Sequence, residues 1–474
     1  MLSRKRPRQQ TCFIPGSLAD YIPADHILRK VDAVLDLRWL EGEVKELYDP
    51  ANGRPCIAPE RALRLMLAGF FHGMVQDRKL IREAQVNIAY RWFAGYELGE
   101  PLPDHSSLTR IRRRWGEATF RRIFARSVAQ CAQAGLVEGE TLHVDATLIR
   151  ADCSWESLVQ QHVGKVLSEN AAPLEQGEPA AANAPPKPGG KTKRVSVTDP
   201  EASLTTSCRK QRLEPCYKQH TAVDDKAGII VAGQVTIGEA HEGQELLAQI
   251  QRVAELCEGP AVVTADRGYA SSENYALLEA WGMTALIPPQ PEGAPHRGMP
   301  LARFAYDERN DLVRPPAGKQ LVHRPTKKAP WVYRAQASDC RACPLRARCV
   351  PPSGRVRTVQ MEPGYPALLR ARRAKLRGWL KWLRGAYRRH RFLVEGLHGE
   401  AKTQHGLRRA VRRGRANVSI QAYLTAAVMN LKRLACHNSS LIVGFLRLIS
   451  GFIPDWLRRI ARIGENLTSL APAA

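Results

Sequence analysis

Acidic residues are scarce in this sequence. It has 46 Asp and Glu against 71 Lys and Arg in 474 residues, a formal net charge of +25. A surplus of that size points to a polyanionic partner, nucleic acid first and an acidic membrane surface second, with a bland basic protein as the third reading. Long apolar runs are also absent. The longest, Leu441 to Leu457, falls short of the ~20 residues that span a bilayer and is broken by Arg447, Pro454 and Asp455. It reads as a packed helical segment followed by a turn, or as an interfacial helix. The basic start, Met1 to Pro15, is not followed by an apolar run, so no signal peptide is visible. The 11 cysteines are odd in number and mostly scattered, which suits reduced, buried thiols rather than a disulfide frame. These absences give the expectation of a cytoplasmic protein with no membrane partner.

Hydrophobic residues at 44% and charged residues at 25% are ordinary for a folded chain, and the length suggests two to four domains. Residues 1–136 read as helical, with Pro59 opening one helix and Leu102 to Ser107 forming a turn with a ready N-cap. The short helix after that turn is crowded by Arg110, Arg112, Arg113 and Arg114. Helix, turn and Arg-rich helix fits either a helix-turn-helix that contacts DNA or a small bundle with a solvated basic face. From 137 to 288 the pattern becomes strand-like. Thr141 to Ile149, Tyr217 to Val223, Gly228 to Ile237, Ala261 to Ala265 and Met283 to Ile287 are expected strands, with helices at Glu242 to Cys257 and Ser271 to Trp281. That order implies an α/β layered domain. Residues 165–200, rich in Ala, Pro, Gly and Lys, read as a flexible insertion. Residues 289–365 read as an irregular or β-rich inserted subdomain. Long basic helix returns over 366–435, followed by a helical tail over 436–474.

Three acids stand out against this basic background. Asp145 lies between Val144 and Ala146 in an apolar strand. Asp266 ends the strand AVVTA, and functional side chains gather at strand ends in α/β sheets. Either one alone is also a common cap or turn former. Glu395 sits where residues 366–415 hold 16 Lys and Arg against two acids. On a helix, Arg391, Glu395, His398 and Lys402 form one polar stripe, readable as a solvated face with an ion pair. Two strand aspartates and a helix glutamate also suit Mg²⁺, which prefers few carboxylate ligands and several waters. Two such ions about 3.5–4 Å apart serve phosphodiester cleavage, with flanking cations holding backbone phosphates.

The segments HVDATLIRAD, TADRGY and RFLVEGLHGEAK resemble those of DDE transposases of bacterial insertion sequences, and the resemblance covers nearly the whole chain. The N-terminal region is similar to the InsH-type N-terminal transposase domain. The resemblance implies an α+β or α/β chain: an all-α DNA-binding domain, an RNase H-like mixed-sheet catalytic core with an inserted subdomain, and C-terminal helices. It implies a catalytic, metal-holding triad of Asp145, Asp266 and Glu395 with two Mg²⁺ or Mn²⁺ ions. It also implies DNA contacts from Arg391, His398 and Lys402, joined by Arg110, Arg112, Arg113 and Arg114 of the N-terminal helix. The family's tyrosine slot is occupied by Arg388, with Tyr387 one place early. The implied partners are terminal inverted-repeat DNA and target DNA, bound by a homodimer at the nucleoid. The rival readings are a domesticated or inactive DNA-binding descendant and an RNase H-like nuclease.

Cys340, Cys343 and Cys349 supply three of the four ligands of a structural Zn²⁺ site, with His323 as a candidate fourth; reduced thiols without metal are the alternative. Trp331, in the same subdomain, is expected to be buried, with base stacking as the other reading.

Overall fold

Apolar residues at helical spacing build the N-terminal helices: α1 (Ile27–Asp32), α2 (Leu40–Val44), α3 (Pro59–Phe71), α4 (Asp77–Val86), α5 (Ile88–Phe93) and α6 (His105–Gln133). Pro59 suits the first turn of α3, where its missing N–H would have no helical partner, and Leu28, Val31, Leu40, Val44, Leu63 and Met66 are fully buried. The computed structural model describes residues 16–49, 56–162, 192–206, 212–255, 259–291, 298–307, 309–326 and 330–452. They divide into two units, one of residues up to 69, 77–114 and 428 onward, the other of 70–76 and 115–427.

In the first unit Asp104 caps the start of α6, its Oδ1 accepting from Ser106 N at 2.8 Å. Helical dihedrals fail at Gly116 (φ 68°, ψ 173°), a backbone state open to glycine, so α6 is two helices joined at a kink. The arginine cluster does not form one outward face. Arg110, Arg113 and Arg114 are exposed, and Arg114 lies 4.5 Å from the ring centroid of Tyr48. Arg112 is a correction to the expected DNA contacts. It is 2% exposed, and its guanidinium donates to Asp77 Oδ2 at 2.6 Å. Thr109 donates to the same oxygen at 3.0 Å.

The second unit is built on a mixed sheet. Branched and apolar residues give β1 (Thr141–Arg150), β5 (Glu214–Asp224) and β6 (Ile230–Ile237), the last two joined by a turn in which Asp224 Oδ1 accepts from Lys226 N at 3.0 Å. β7 (Val262–Ala265) and β8 (Thr284–Leu286) follow, each preceded by a helix, α7 (Leu246–Ala254) and α8 (Ser272–Ala280). The spatial order is β6-β5-β1-β7-β8. β1, β5 and β6 are antiparallel, while β1, β7 and β8 are parallel. That arrangement of three antiparallel and two further parallel strands is an RNase H-like fold. The expected insertion at 165–200 is not all linker. Its final part, β3 (Thr192–Ser196), pairs with β2 (Leu158–His162), and β4 (Ser203–Thr205) joins the start of β5. The rest of the insertion lies mostly outside the described residues.

The inserted subdomain is β-rich: β9 (Ala305–Asp307), β10 (Leu312–Arg314), β11 (Leu321–His323), β12 (Val332–Ala335) and β13 (Thr358–Gln360) form one antiparallel sheet, with short helices α9 (Ala337–Arg341) and α10 (Arg346–Cys349). Trp331 is 39% exposed rather than buried, stacked on His323 at 6.2 Å. Three helices then complete the chain: α11 (Tyr365–Leu376), α12 (Lys381–Thr403) and α13 (Arg415–Phe452). α12 packs across β1 and β7. α13 runs unbroken through position 436, so the expected tail begins inside a helix; residues 453–474 are outside the described set. No helix among the described residues is long and apolar enough to cross a membrane.

Breaking a buried ion pair strands the remaining charge, at a cost of about 3–5 kcal/mol. Arg112→Ala should therefore lower stability by that amount in urea denaturation, and the apolar double replacement Asp77→Leu/Arg112→Met should recover most of the loss.

Candidate active site

Parallel pairing of β1 with β7 matches Val144 to Ala265. Asp145 is the next residue of β1 and Asp266 the residue just past the end of β7, so the register sets two acids side by side. Burial is the main cause that pushes the Asp145 carboxyl up to about 7, and repulsion from Asp266, Glu242 and Glu395 adds to it. Asp266 is raised above the ordinary carboxylate range by burial and then by Glu242. Its Oδ1 accepts from Gly268 N at 2.7 Å.

Two buried histidines seat α12 on this edge. Thr264, two residues before Asp266, places its hydroxyl 2.6 Å from His143 Nδ1 and 2.9 Å from His390 Nδ1. His143 Nε2 lies 2.8 Å from Asp225 Oδ1, which in the ionised form only accepts, so Nε2 carries a proton. Burial disfavours a second proton on His143, leaving Nδ1 to accept from Thr264. His390 Nδ1 must then donate to Thr264. Burial depresses the His390 imidazole to about 3. Arg389 completes the chain, pairing with Asp225 at 2.9 Å. Tyr387 stacks on His390 at 5.9 Å, while Arg388, in the family's tyrosine slot, is exposed.

His398 is the second seat and a correction to the expected polar stripe. It is buried, its Nε2 is 2.9 Å from Thr221 Oγ1, and its Nδ1 is 3.6 Å from Asp145 Oδ2. Burial lowers it to about 3, so it sits beside Asp145 as a neutral imidazole rather than as a cation for DNA. Val394, Leu397 and Ala401 share this buried face. Glu395 lies on the flank instead, with its side chain 64% exposed and paired to Arg391 at 2.9 Å. Among the described residues no three His, Cys, Asp or Glu side chains already gather as a metal site. The donor chemistry nevertheless fits a divalent cation: carboxylates from β1, the end of β7 and the turn after β6 repel one another at Asp145.

A cleft of about 510 Å³ is lined by Leu148 and Arg150 of β1 with Arg212, Glu214, Lys402 and Arg408, among others. Residues after α12 build one wall by joining the end of β1. Arg150 N donates to Arg408 O at 3.2 Å and Ala410 N to Arg150 O at 2.7 Å. Glu214 pairs with Arg150 at 2.5 Å, and Arg212 stacks on Trp155 at 3.6 Å. Lys402 and Arg408 have no carboxylate partner among the described residues. Burial and repulsion from Arg408 lower the Lys402 ammonium. Sequence reasoning missed Arg150, Arg212, Arg408 and Glu242, because what unites them is strand register rather than spacing.

Among the described residues the cysteines do not gather as a zinc site. Cys340 and Cys349 are buried in the subdomain core with Met299, Phe304, Val313 and Tyr333. His323 is taken up elsewhere, with Nδ1 2.9 Å from Asp311 and Nε2 donating to Pro330 O at 2.8 Å.

The raised Asp145 carboxyl has a consequence for stability. The folded state holds this proton more tightly than the unfolded chain, so its stabilising effect is complete below about pH 4 and lost as pH rises through about 7. Asp145→Asn should stabilise the metal-free protein by about 2–4 kcal/mol at pH 8 and change little at pH 4. Urea denaturation at the two pH values measures this.

Two families match the chain. Residues 16–114 match the Transposase domain (DUF772), and residues 316–435, which carry Glu395, match the Transposase DDE domain. No curated protein matches. Among solved structures, the chain is similar to piggyBac transposase in its synaptic complex with hairpin DNA. The identity is 11% and the TM-score 0.32, over 94% of this chain and 85% of that one. The match to a transposase domain near one end and to a DDE transposase domain near the other supports a DDE transposase of insertion-sequence type.

Proposed function

We propose that this transposase binds the terminal inverted repeats of its own element, cleaves the strands there and joins the freed 3′-hydroxyls to target DNA. The observation that carries the reading is the side-by-side placement of Asp145 and Asp266 by the parallel register of β1 and β7. Asp145, Asp266 and Glu395 would hold two Mg²⁺ or Mn²⁺ ions. When bound, such ions activate a water or 3′-hydroxyl and neutralise charge on the leaving oxygen. The rest is the work of the chain itself. Neutral His398 keeps Asp145 flanked by a group that adds no competing positive charge. Arg391 balances Glu395 until a backbone phosphate or an ion takes over one of them. Lys402 and Arg408 line the cleft where the phosphates of a DNA strand would lie.

The exposed Arg110, Arg113 and Arg114 are proposed to contact end DNA. Because two ends must be joined in one complex, the active species is proposed to be at least a homodimer on DNA, working at the nucleoid. An inactive descendant is disfavoured by the retained Asp145, Asp266 and Glu395.

Asp145→Asn and Asp266→Asn should each abolish cleavage of end DNA in Mg²⁺ while leaving binding to that DNA unchanged. Normal cutting by either variant would overturn the assignment. Lys402→Ala and Arg408→Ala should each weaken binding across sequences and reduce the slope of log affinity against log salt by about 1. Titration of DNA binding at several salt concentrations reads that slope.

A further inference from the structure

Glu242 stands apart from the three acids so far assigned, yet it faces the same place. It opens the 3-10 turn Glu242–Glu245 that follows β6. A Cβ built on Gly268 would lie 2.7 Å from Glu242 Oε2 and 2.9 Å from Asp266 Oδ1. The two carboxylate oxygens are therefore at most about 5.6 Å apart, those two distances end to end. Glycine at 268 leaves the space between them open.

The placement is enforced by buried hydrogen bonds. Asn274 of α8 donates from Nδ2 to Gly243 O and to Tyr269 O, each at 2.9 Å. One amide thus ties the residue after Glu242 to the turn that carries Asp266. On the other side Lys218 of β5 holds Glu242 at 3.1 Å and donates to Ala240 O at 2.8 Å. A second observation points to the same spot. Tyr269 is fully buried, and its hydroxyl has no hydrogen-bond partner. The charges that act on that hydroxyl are Asp145, Glu242, Asp266 and Glu245. A buried hydroxyl left unpaired is costly, and it suits a site whose remaining contents are an ion and its waters.

We propose that Glu242 is a fourth carboxylate ligand of the divalent-cation site, sharing an ion with Asp266 beside Asp145. This rests on the reading of Asp145 and Asp266 as metal-holding residues. It gives the sheet its own set of ligands, from β1, the end of β7 and the turn after β6, before Glu395 leaves Arg391. Lys218 then competes with the ion for Glu242 and holds that carboxylate in place without it.

The test is calorimetric titration of Mn²⁺ into the full chain without DNA. Glu242→Gln should lower Mn²⁺ affinity at least tenfold, as Asp266→Asn should, with end-DNA binding by gel shift unchanged, and Glu242→Asp should restore part of the loss. Wild-type Mn²⁺ affinity in Glu242→Gln, alongside impaired Asp266→Asn, overturns the fourth ligand alone. A wild-type chain that binds no Mn²⁺, or an Asp145→Asn variant that cuts normally, overturns the underlying reading as well. If Glu242→Gln does not fold, wild-type protein loaded with Fe²⁺ and ascorbate gives the answer. Radical cleavage near 242 as well as near 145 and 266 is expected, and its absence near 242 overturns the proposal.

Discussion

How α12 is held against β1 and β7 governs everything at the site. The Thr264 hydroxyl lies between His143 and His390, and its single proton obliges one imidazole to donate. Asp225 resolves which one. Burial keeps both rings neutral, so the contact between helix and sheet is a directional polar lock inside an otherwise apolar seam. Such a lock fixes register in a way that Val394 and Leu397, which pack without direction, do not. With His390 and His398 both turned to the sheet, helical geometry leaves Glu395 on the flank and Lys402 at the cleft.

The charges divide by role. In the sheet, burial first and the repulsion of neighbouring acids second make Asp145 resist ionising near neutral pH. Around it, cations are crowded until Lys402 and Arg408 oppose one another. Each cluster is unfavourable by itself, and a divalent ion and a phosphodiester backbone are the two counter-charges that relieve them. Net charge alone shows only the second half of this arrangement, since the acids are too few to alter the total.

Much of the fold was legible in the sequence. The alternation in GIIVAGQVTI, the short run AVVTA and the proline before ERALRLML each carry a local signal, and β6, β7 and α3 stand where those signals put them. Spacing misled where two faces of one helix had to be told apart. His398 falls on the same stripe as Glu395 and Lys402, yet it is buried, because the sheet offers Thr221 and Asp145 to meet it. Arg112 was indistinguishable from its neighbours until Asp77, 35 residues away, supplied a buried partner. Glu242 was read as the start of an amphipathic helix, and its nearness to Asp266 depends on strand order that no local pattern reveals. The cysteines carried a metal-like spacing, but core packing claimed two of them first.

The lock between Thr264 and His390 spans 126 positions of chain. β1 and β7 meet across a comparable separation, and contacts so distant in sequence form late because long loops must close before they reward the chain. During synthesis, a chain stopped between Asp266 and α12 carries Asp145 and Asp266 but has neither histidine seat nor Glu395. Products cut short within the inserted subdomain would therefore lack the helix that completes the lock.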